Sequence, residues 1–308
     1  MATVDPRLAV EFCGISMKNP IVAASGTFGF GLEYDGYLDL NTEVGAISVK
    51  GLTPTARPGN AGVRIAETPS GVLNCIGLEN PGAEAFVADI LPTLAQYDVP
   101  IFANISGNTL EEYEFMAKTL TVEGVAALEV NISCPNVKCG GMAFGVQADS
   151  AAAVCKAVKS HTDLPVIMKL SPNVTDIVEI ARAVEAAGAD GISMINTLLG
   201  MSVDLRTRKP LLGNIYGGLS GPAVKPVALR LTHQVAQAID IPIMGGGGIM
   251  TGEDALEFMV VGADIVSVGT ATMVDPRAIG IIASEMSAYC ESQHIDHVSR
   301  LVGSIIIP

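Results

Sequence analysis

At 308 residues the chain is long enough for two ordinary domains or for one barrel with a large core, and 49% of it is hydrophobic against 16% charged. A formal net charge of −14 argues against a phosphate-covered polymer or an anionic membrane surface as a partner. No run reaches the roughly 18 uninterrupted apolar residues of a membrane span, and Met1-Ala-Thr-Val-Asp-Pro6 holds no basic-then-apolar leader, so a soluble, unprocessed, cytoplasmic protein is expected.

In chain order, eight short apolar runs have the composition of buried strands: Ile21-Ser25, Ala46-Lys50, Ile101-Ile105, Ala127-Ile132, Val166-Leu170, Gly191-Ile195, Ile241-Gly245 and Ile265-Gly269. Amphipathic segments separate several of them. In Asp176 to Ala187, for example, Ile177, Ile180, Ala181 and Val184 fall on one helical face. Repeated βα units in this number favour a closed (β/α)8 barrel over a doubly wound open sheet. Two stretches break the repeat, Thr53 to Gly82 and Gly200 to Pro222. Both are rich in Gly, Pro and Asn and too long for idle connections, so they are expected as lids or walls over the carboxyl face. No linker or charge block divides residues 1–308, which are read as one domain.

The fourth strand ends in the most informative segment, Glu129-Val-Asn-Ile-Ser-Cys-Pro-Asn136. Pro135 stops the ladder, so Cys134 lies just past a strand end, where parallel α/β folds build active sites. Asn131 and Asn136 bracket it with side chains that both donate and accept hydrogen bonds, which suits a substrate with amide or imide edges. Lys138-Cys139-Gly140-Gly141 reads as a loop able to close over a ligand. The bland alternative is a buried structural thiol. The six cysteines, at 13, 75, 134, 139, 155 and 290, form no regular framework and are read as reduced.

The other strand ends carry related chemistry. Ser25 follows strand one, Lys50-Gly51 strand two, Asn104 strand three, Lys169 strand five, Asn196-Thr197 strand six, Gly245 to Gly248 strand seven, and Gly269-Thr270 strand eight. Two glycine loops, the first followed by a helix start at Thr251-Gly-Glu-Asp254, offer backbone N–H groups and a helix dipole to a phosphate; ordinary tight turns are the alternative. Lys50 and Lys169 sit in apolar surroundings and each needs something negative or electron-rich to face. The N1–C2=O region of a reduced flavin is such a partner. A salt bridge is the alternative, and no carboxylate is evident at either strand end.

Seven motifs in order resemble the class 1 dihydroorotate dehydrogenases, most closely the catalytic subunit of class 1B. They are Ala24-Ser-Gly-Thr-Phe-Gly-Phe-Gly31, Lys50-Gly-Leu-Thr53, Arg57-Pro-Gly-Asn60, Leu73-Asn-Cys-Ile-Gly-Leu-Glu-Asn-Pro-Gly82, Asn131-Ile-Ser-Cys-Pro-Asn136, Tyr216-Gly-Gly-Leu-Ser-Gly-Pro222 and Gly246-Gly-Gly-Ile249. The resemblance implies an FMN-containing barrel that oxidises (S)-dihydroorotate to orotate in pyrimidine synthesis. The expected architecture is a single barrel with an N-terminal β-hairpin and lid insertions at the carboxyl face. The resemblance makes Cys134 the base for the C5 proton, while C6 gives a hydride to the flavin, and it sets Lys50 between flavin and substrate. It gives substrate binding to Asn74, Ile76, Gly77, Leu78, Asn131, Asn136, Asn196 and Thr197. Flavin ring and ribityl contacts fall to Ser25, Lys50, Gly51, Asn104, Asn131, Lys169 and Ile195, and the phosphate end to Gly221, Gly247, Gly248, Gly269 and Thr270. Asn80 and Asn173 are read as turn caps.

The chain has no GxGxxG fingerprint in a βαβ context and no cysteine set for an iron–sulfur cluster. The 1B resemblance therefore implies a separate subunit that carries FAD and an iron–sulfur cluster and relays electrons to NAD⁺, in a heterotetramer built on a catalytic homodimer. The competing readings are a fumarate-using 1A enzyme, a sugar-phosphate isomerase or aldolase with Lys169 as Schiff-base lysine, and a non-catalytic nucleotide-binding regulator. Cys75 and Cys139 are given no catalytic role. The apolar run Gly303-Ser-Ile-Ile-Ile-Pro308 is expected to dock on the core or on another subunit.

Overall fold

The computed structural model of the chain describes residues 5–133 and 144–308. An antiparallel hairpin, β1 (Val10–Phe12) and β2 (Ile15–Met17), comes first, followed by β3 (Ile21–Ala23) and β4 (Ala46–Ser48). The chain then leaves for β5 (Ile65–Thr68) and β6 (Gly71–Asn74) and returns as β7 (Ile101–Ile105), β8 (Ala127–Asn131), β9 (Val166–Lys169) and β10 (Gly191–Met194). A second excursion contains β11 (Leu198–Met201), β12 (Val203–Asp204), β13 (Lys209–Pro210) and β14 (Tyr216–Ser220), before β15 (Ile243–Gly246) and β16 (Ile265–Val268).

All eight apolar runs become barrel strands. Strands β3, β4, β7, β8, β9, β10, β15 and β16 pair in that order, all parallel, and β16 closes on β3 through Val266 opposite Ile21. Burial on both faces explains why these strands read as continuous apolar runs rather than alternating ones. β7 keeps the expected bounds, β15 starts at Ile243 and runs to Gly246, and each of the other six strands ends one or two residues before the sequence limit. Helices cover the outside. The segment expected over Asp176 to Ala187 is the helix Ile177–Ala186, with Asp176 as its N-cap and Ile177, Ile180, Ala181 and Val184 buried.

Period-two alternation sorts the barrel interior into layers. Nearest the amino ends of the strands, Val22, Phe102, Ile167 and Met244 pack with Phe12 and Met17 of the hairpin, which closes that end with apolar side chains. Two residues further along the strands the inward positions turn polar, at Ser48, Asn104, Glu129, Lys169 and Ser193.

The two stretches that broke the repeat meet each other. Strands β11, β14, β6 and β5 form one antiparallel sheet, so residues from either side of four barrel strands share a single lid, entered from the carboxyl ends of β4 and β10. At the C-terminus, Gly303 N donates to Met259 O at 3.0 Å and Ile305 N to Val260 O at 3.2 Å, whereas Ile306 and Ile307 are exposed. The apolar run thus docks through its first half only. Among the described residues no helix is long and apolar enough to cross a membrane.

Phe102 is fully buried in the lower layer, and the hairpin beneath it cannot collapse far without breaking its own ladder. Phe102→Ala is expected to lower the unfolding free energy by about 3–5 kcal/mol in urea titrations, through lost transfer energy and the cavity left behind.

Candidate active site

The polar layer is organised by Glu129, which is 1% exposed in the middle of β8. Its Oε1 receives Ser193 Oγ at 2.7 Å and lies 3.3 Å from Lys169 Nζ; its Oε2 receives Asn104 Nδ2 and Ser48 Oγ, both at 2.5 Å. Burial alone pushes this carboxyl up. The Lys169 charge and the three hydrogen bonds outweigh it, so the net direction is down and Glu129 is an anion. The expectation that Lys169 has no carboxylate to pair with is therefore corrected: its partner is one strand away, on β8. Asn104, with Nδ2 engaged, leaves Oδ1 buried and without a partner. An unmet acceptor of this kind costs about 1–3 kcal/mol unless a ligand meets it. A Cβ on Gly51 would sit 3.0 Å from that oxygen and 3.2 Å from Leu78, so the glycine keeps a space open where strand two ends.

Above this layer, at the barrel mouth, Asn131 Oδ1 accepts from Ser133 N at 3.1 Å and Ser133 Oγ at 2.6 Å. Asn196 Nδ2 reaches the same Ser133 Oγ at 2.5 Å and Asn131 Oδ1 at 3.4 Å. The two asparagines are thus joined across three strands through a serine that the sequence reading did not single out. Asn74, at the end of β6, donates to Gly218 O at 3.2 Å, and Thr197 packs so closely on Gly218 that a Cβ there would lie 2.0 Å from Thr197 Oγ1. These bonds tie the lid to the sixth strand end. Asn173 is more than a turn cap: it donates to Thr197 O and accepts from Leu199 N, clamping the root of β11, while Asn80 caps the turn at Gly82 as expected. The strip Ile76, Gly77 and Leu78 is half-buried, with Gly77 and Leu78 both at positive φ. Ser25 and Lys50 are half-buried as well, and the Lys50 charge reaches Glu79, whose carboxyl is held down first by Arg64 and then by Lys50.

The glycine loops meet as a second unit. A Cβ on Gly248 would lie 2.8 Å from both Gly221 O and Lys225 N, and one on Gly221 would lie 2.8 Å from Gly71 Cα and 3.5 Å from Thr270 Cγ2. Ile195, which follows a cis peptide bond, is 3.2 Å from where a Gly247 Cβ would be. The N–H groups of Gly247, Gly248 and Gly269 donate to no backbone carbonyl among the described residues and are free to receive an anion. One expectation needs correction here. The helix start at Thr251 is not available, because Asp254 accepts from Met250 N and Thr251 N, and Glu285 accepts from Gly252 N. Asp254 also pairs with Lys225, whose Nζ lies 2.5 Å away and 2.8 Å from Glu257.

Cys134 and Asn136 lie outside the described residues, as does the loop Lys138 to Gly141. The described cysteines are free thiols, and burial, with nearby acidic groups, pushes Cys13 up to about 12, while burial pushes Cys155 up to about 12.

A closed parallel barrel with cationic and amide side chains at its carboxyl mouth, beneath a β-sheet lid, is the architecture of a (β/α)8-barrel enzyme. The dihydroorotate dehydrogenase family model matches residues 7–289. A protein of Desulforamulus reducens is 57% identical over 299 residues (97% of this chain, 98% of that protein), and one of Desulforudis audaxviator is 54% identical over 299 residues (97% of each). A third, from Anoxybacillus flavithermus, is 53% identical over 298 residues, covering 96% of this chain and 95% of that protein. All three are named dihydroorotate dehydrogenase B (NAD(+)), catalytic subunit. The chain belongs to the dihydroorotate dehydrogenase family, a family of flavin-dependent oxidoreductases.

The buried thiols give a direct check on which cysteines react. With iodoacetamide at pH 8, Cys13 and Cys155 of the folded protein are expected to stay unmodified, because almost none of either is thiolate. Peptide mass spectrometry before and after unfolding reads this site by site.

Proposed function

We propose that the chain is a catalytic subunit that oxidises (S)-dihydroorotate to orotate in pyrimidine biosynthesis, with FMN in the barrel mouth and electrons passed through a partner subunit to NAD⁺. The observation that carries this reading is the 53–57% identity, over nearly the whole length, to catalytic subunits that bear this name. The residues fit the cofactor. Asn104 offers a buried acceptor without a partner, Lys169 and Lys50 offer cations, and Gly247, Gly248 and Gly269 offer free backbone donors beside Gly221 and Thr270.

When bound, FMN supplies the acceptor for the hydride that leaves C6 of the substrate. The protein's own part is to hold the ring and take the other proton. Asn74, Asn131, Asn136, Asn196 and Thr197 have the mixed donors and acceptors that an imide ring and a carboxylate need. Ile76, Gly77 and Leu78 lend backbone groups. Cys134 is the base at C5, since a thiolate whose pKa is near the working pH balances strength against availability. Lys50 stabilises the negative charge that develops as the proton leaves. Lys169 is paired with a buried carboxylate and is not a free nucleophile, which disfavours an aldolase with this lysine as its imine-forming group. The partner subunit in this reading carries FAD and an iron–sulfur cluster and joins a catalytic homodimer in the cytoplasm.

Cys134→Ser is expected to retain FMN and bind orotate but to lose about 100-fold or more of its turnover at pH 7, in line with the usual weight of a general base. Activity should recover in part as pH rises, because a serine hydroxyl is far harder to deprotonate than a thiol. Near-normal turnover at pH 7 would remove Cys134 from the role.

The purified chain alone should reduce an artificial dye with dihydroorotate yet form little NADH. Copurified with its partner, it should form NADH and show the absorbance of FAD and an iron–sulfur centre. Brisk reduction of NAD⁺ or fumarate by the lone chain refutes the assignment.

A further inference from the structure

Neither the resemblance nor the proposed reaction gives Glu129 a role, yet among the described residues it is the most connected polar group on the barrel strands. It links β8 to side chains on β4, β7, β9 and β10. Two of these side chains, Asn104 and Lys169, are among those assigned above to the flavin ring and ribityl chain.

An ionised carboxylate only accepts hydrogen bonds. Asn104 must therefore turn its NH2 toward Glu129 Oε2, which leaves its carbonyl oxygen facing the space beside Gly51 as a fixed acceptor. A neutral amide at position 129 would lift that constraint, because its own NH2 can donate to Asn104 Oδ1 and let the asparagine turn over. The same carboxylate fixes Lys169 in place, with its ammonium 3.3 Å from Oε1. Ser48 and Ser193 occupy the remaining lone pairs and hold the carboxylate still.

We infer that Glu129 is a positioning residue for the flavin: it sets Asn104 as an acceptor for a ring N–H and holds Lys169 toward the electron-rich edge of the ring. This rests on the FMN reading above and adds a residue that does not itself contact the ring. Its negative charge also offsets that of Lys169, so it moderates how strongly the pocket favours an electron-rich, reduced ring.

The test strips FMN from the parent chain and from Glu129→Gln, titrates FMN back, and measures the two-electron potential at saturating FMN. The variant is expected to bind FMN at least about tenfold more weakly, the scale of hydrogen bonds to a charged group. Its potential should move upward, because the Lys169 charge is then unopposed; a merely structural role moves no potential. FMN binding within twofold of the parent, or a potential that stays in place or falls, overturns the inference. Should Glu129→Gln fail to fold, Ser193→Ala decides: it loosens the carboxylate by one hydrogen bond and is expected to weaken FMN binding by about threefold, and an unchanged affinity overturns the inference. A parent that binds no FMN removes the flavin reading and this inference with it, whereas a parent that binds FMN beside an unaffected variant removes the inference alone.

Discussion

A closed barrel of eight short strands has an interior that only every second residue can fill, and that constraint places most of this site. Moving two residues along β8 takes the inward position from Ala127 to Glu129 and then to Asn131. The same step on β7 goes from Phe102 to Asn104, and on β9 from Ile167 to Lys169. Each strand passes from apolar floor to polar layer within a single pleat repeat. The hairpin makes this affordable, since Phe12 and Met17 close the amino end and let the polar layer sit high, toward the mouth.

The polar layer is electrostatically demanding. An isolated carboxylate so fully buried would protonate rather than stay charged. Here a cation and three donors converge on two oxygens, which is the arrangement in which a buried ion pair persists. Well-packed apolar residues of similar volume would stabilise such a layer at least as well. The charges therefore make more sense as equipment for a ligand than as cement. The unmet Asn104 oxygen points the same way, because the layer satisfies every lone pair of Glu129 it can reach and leaves that one acceptor over.

The sequence shows the barrel clearly because each strand is buried on both faces and announces itself as an apolar run. It shows the strand-end residues for the same reason: a lysine or asparagine closing such a run is conspicuous. Glu129 was equally visible, a carboxylate inside Ala127 to Ile132, but its meaning depended on which strands lie beside β8, and adjacency across a barrel is not a local property. The link from Asn196 through Ser133 to Asn131 and the pairing of the two lid stretches were hidden for that reason too. At Thr251 the local signal pointed the wrong way. A glycine loop before a capped helix suggests an anion site, but Glu285, 33 residues beyond Gly252, takes the Gly252 N–H.

The run Gly245 to Gly248 looks in sequence like one flexible loop and is two structures end to end. Gly245 and Gly246 belong to β15, where a Cβ would meet Ala263 Cβ at 2.8 Å in the first case and Ser267 Oγ at 2.2 Å in the second. They are glycines because the neighbouring strand and helix pack directly on the backbone. Gly247 and Gly248 have φ of 128° and 88°, a backbone that side-chain-bearing residues seldom adopt, and their turn lies against Gly221 and the start of the helix at Lys225, with its N–H groups bonded to no backbone carbonyl among the described residues. Rigid packing below thus aims a permissive turn above. A phosphate bound as proposed would be held by the barrel wall itself, and Asp254 and Glu285, by taking the N–H groups of the next helix start, would leave it only the glycine turn.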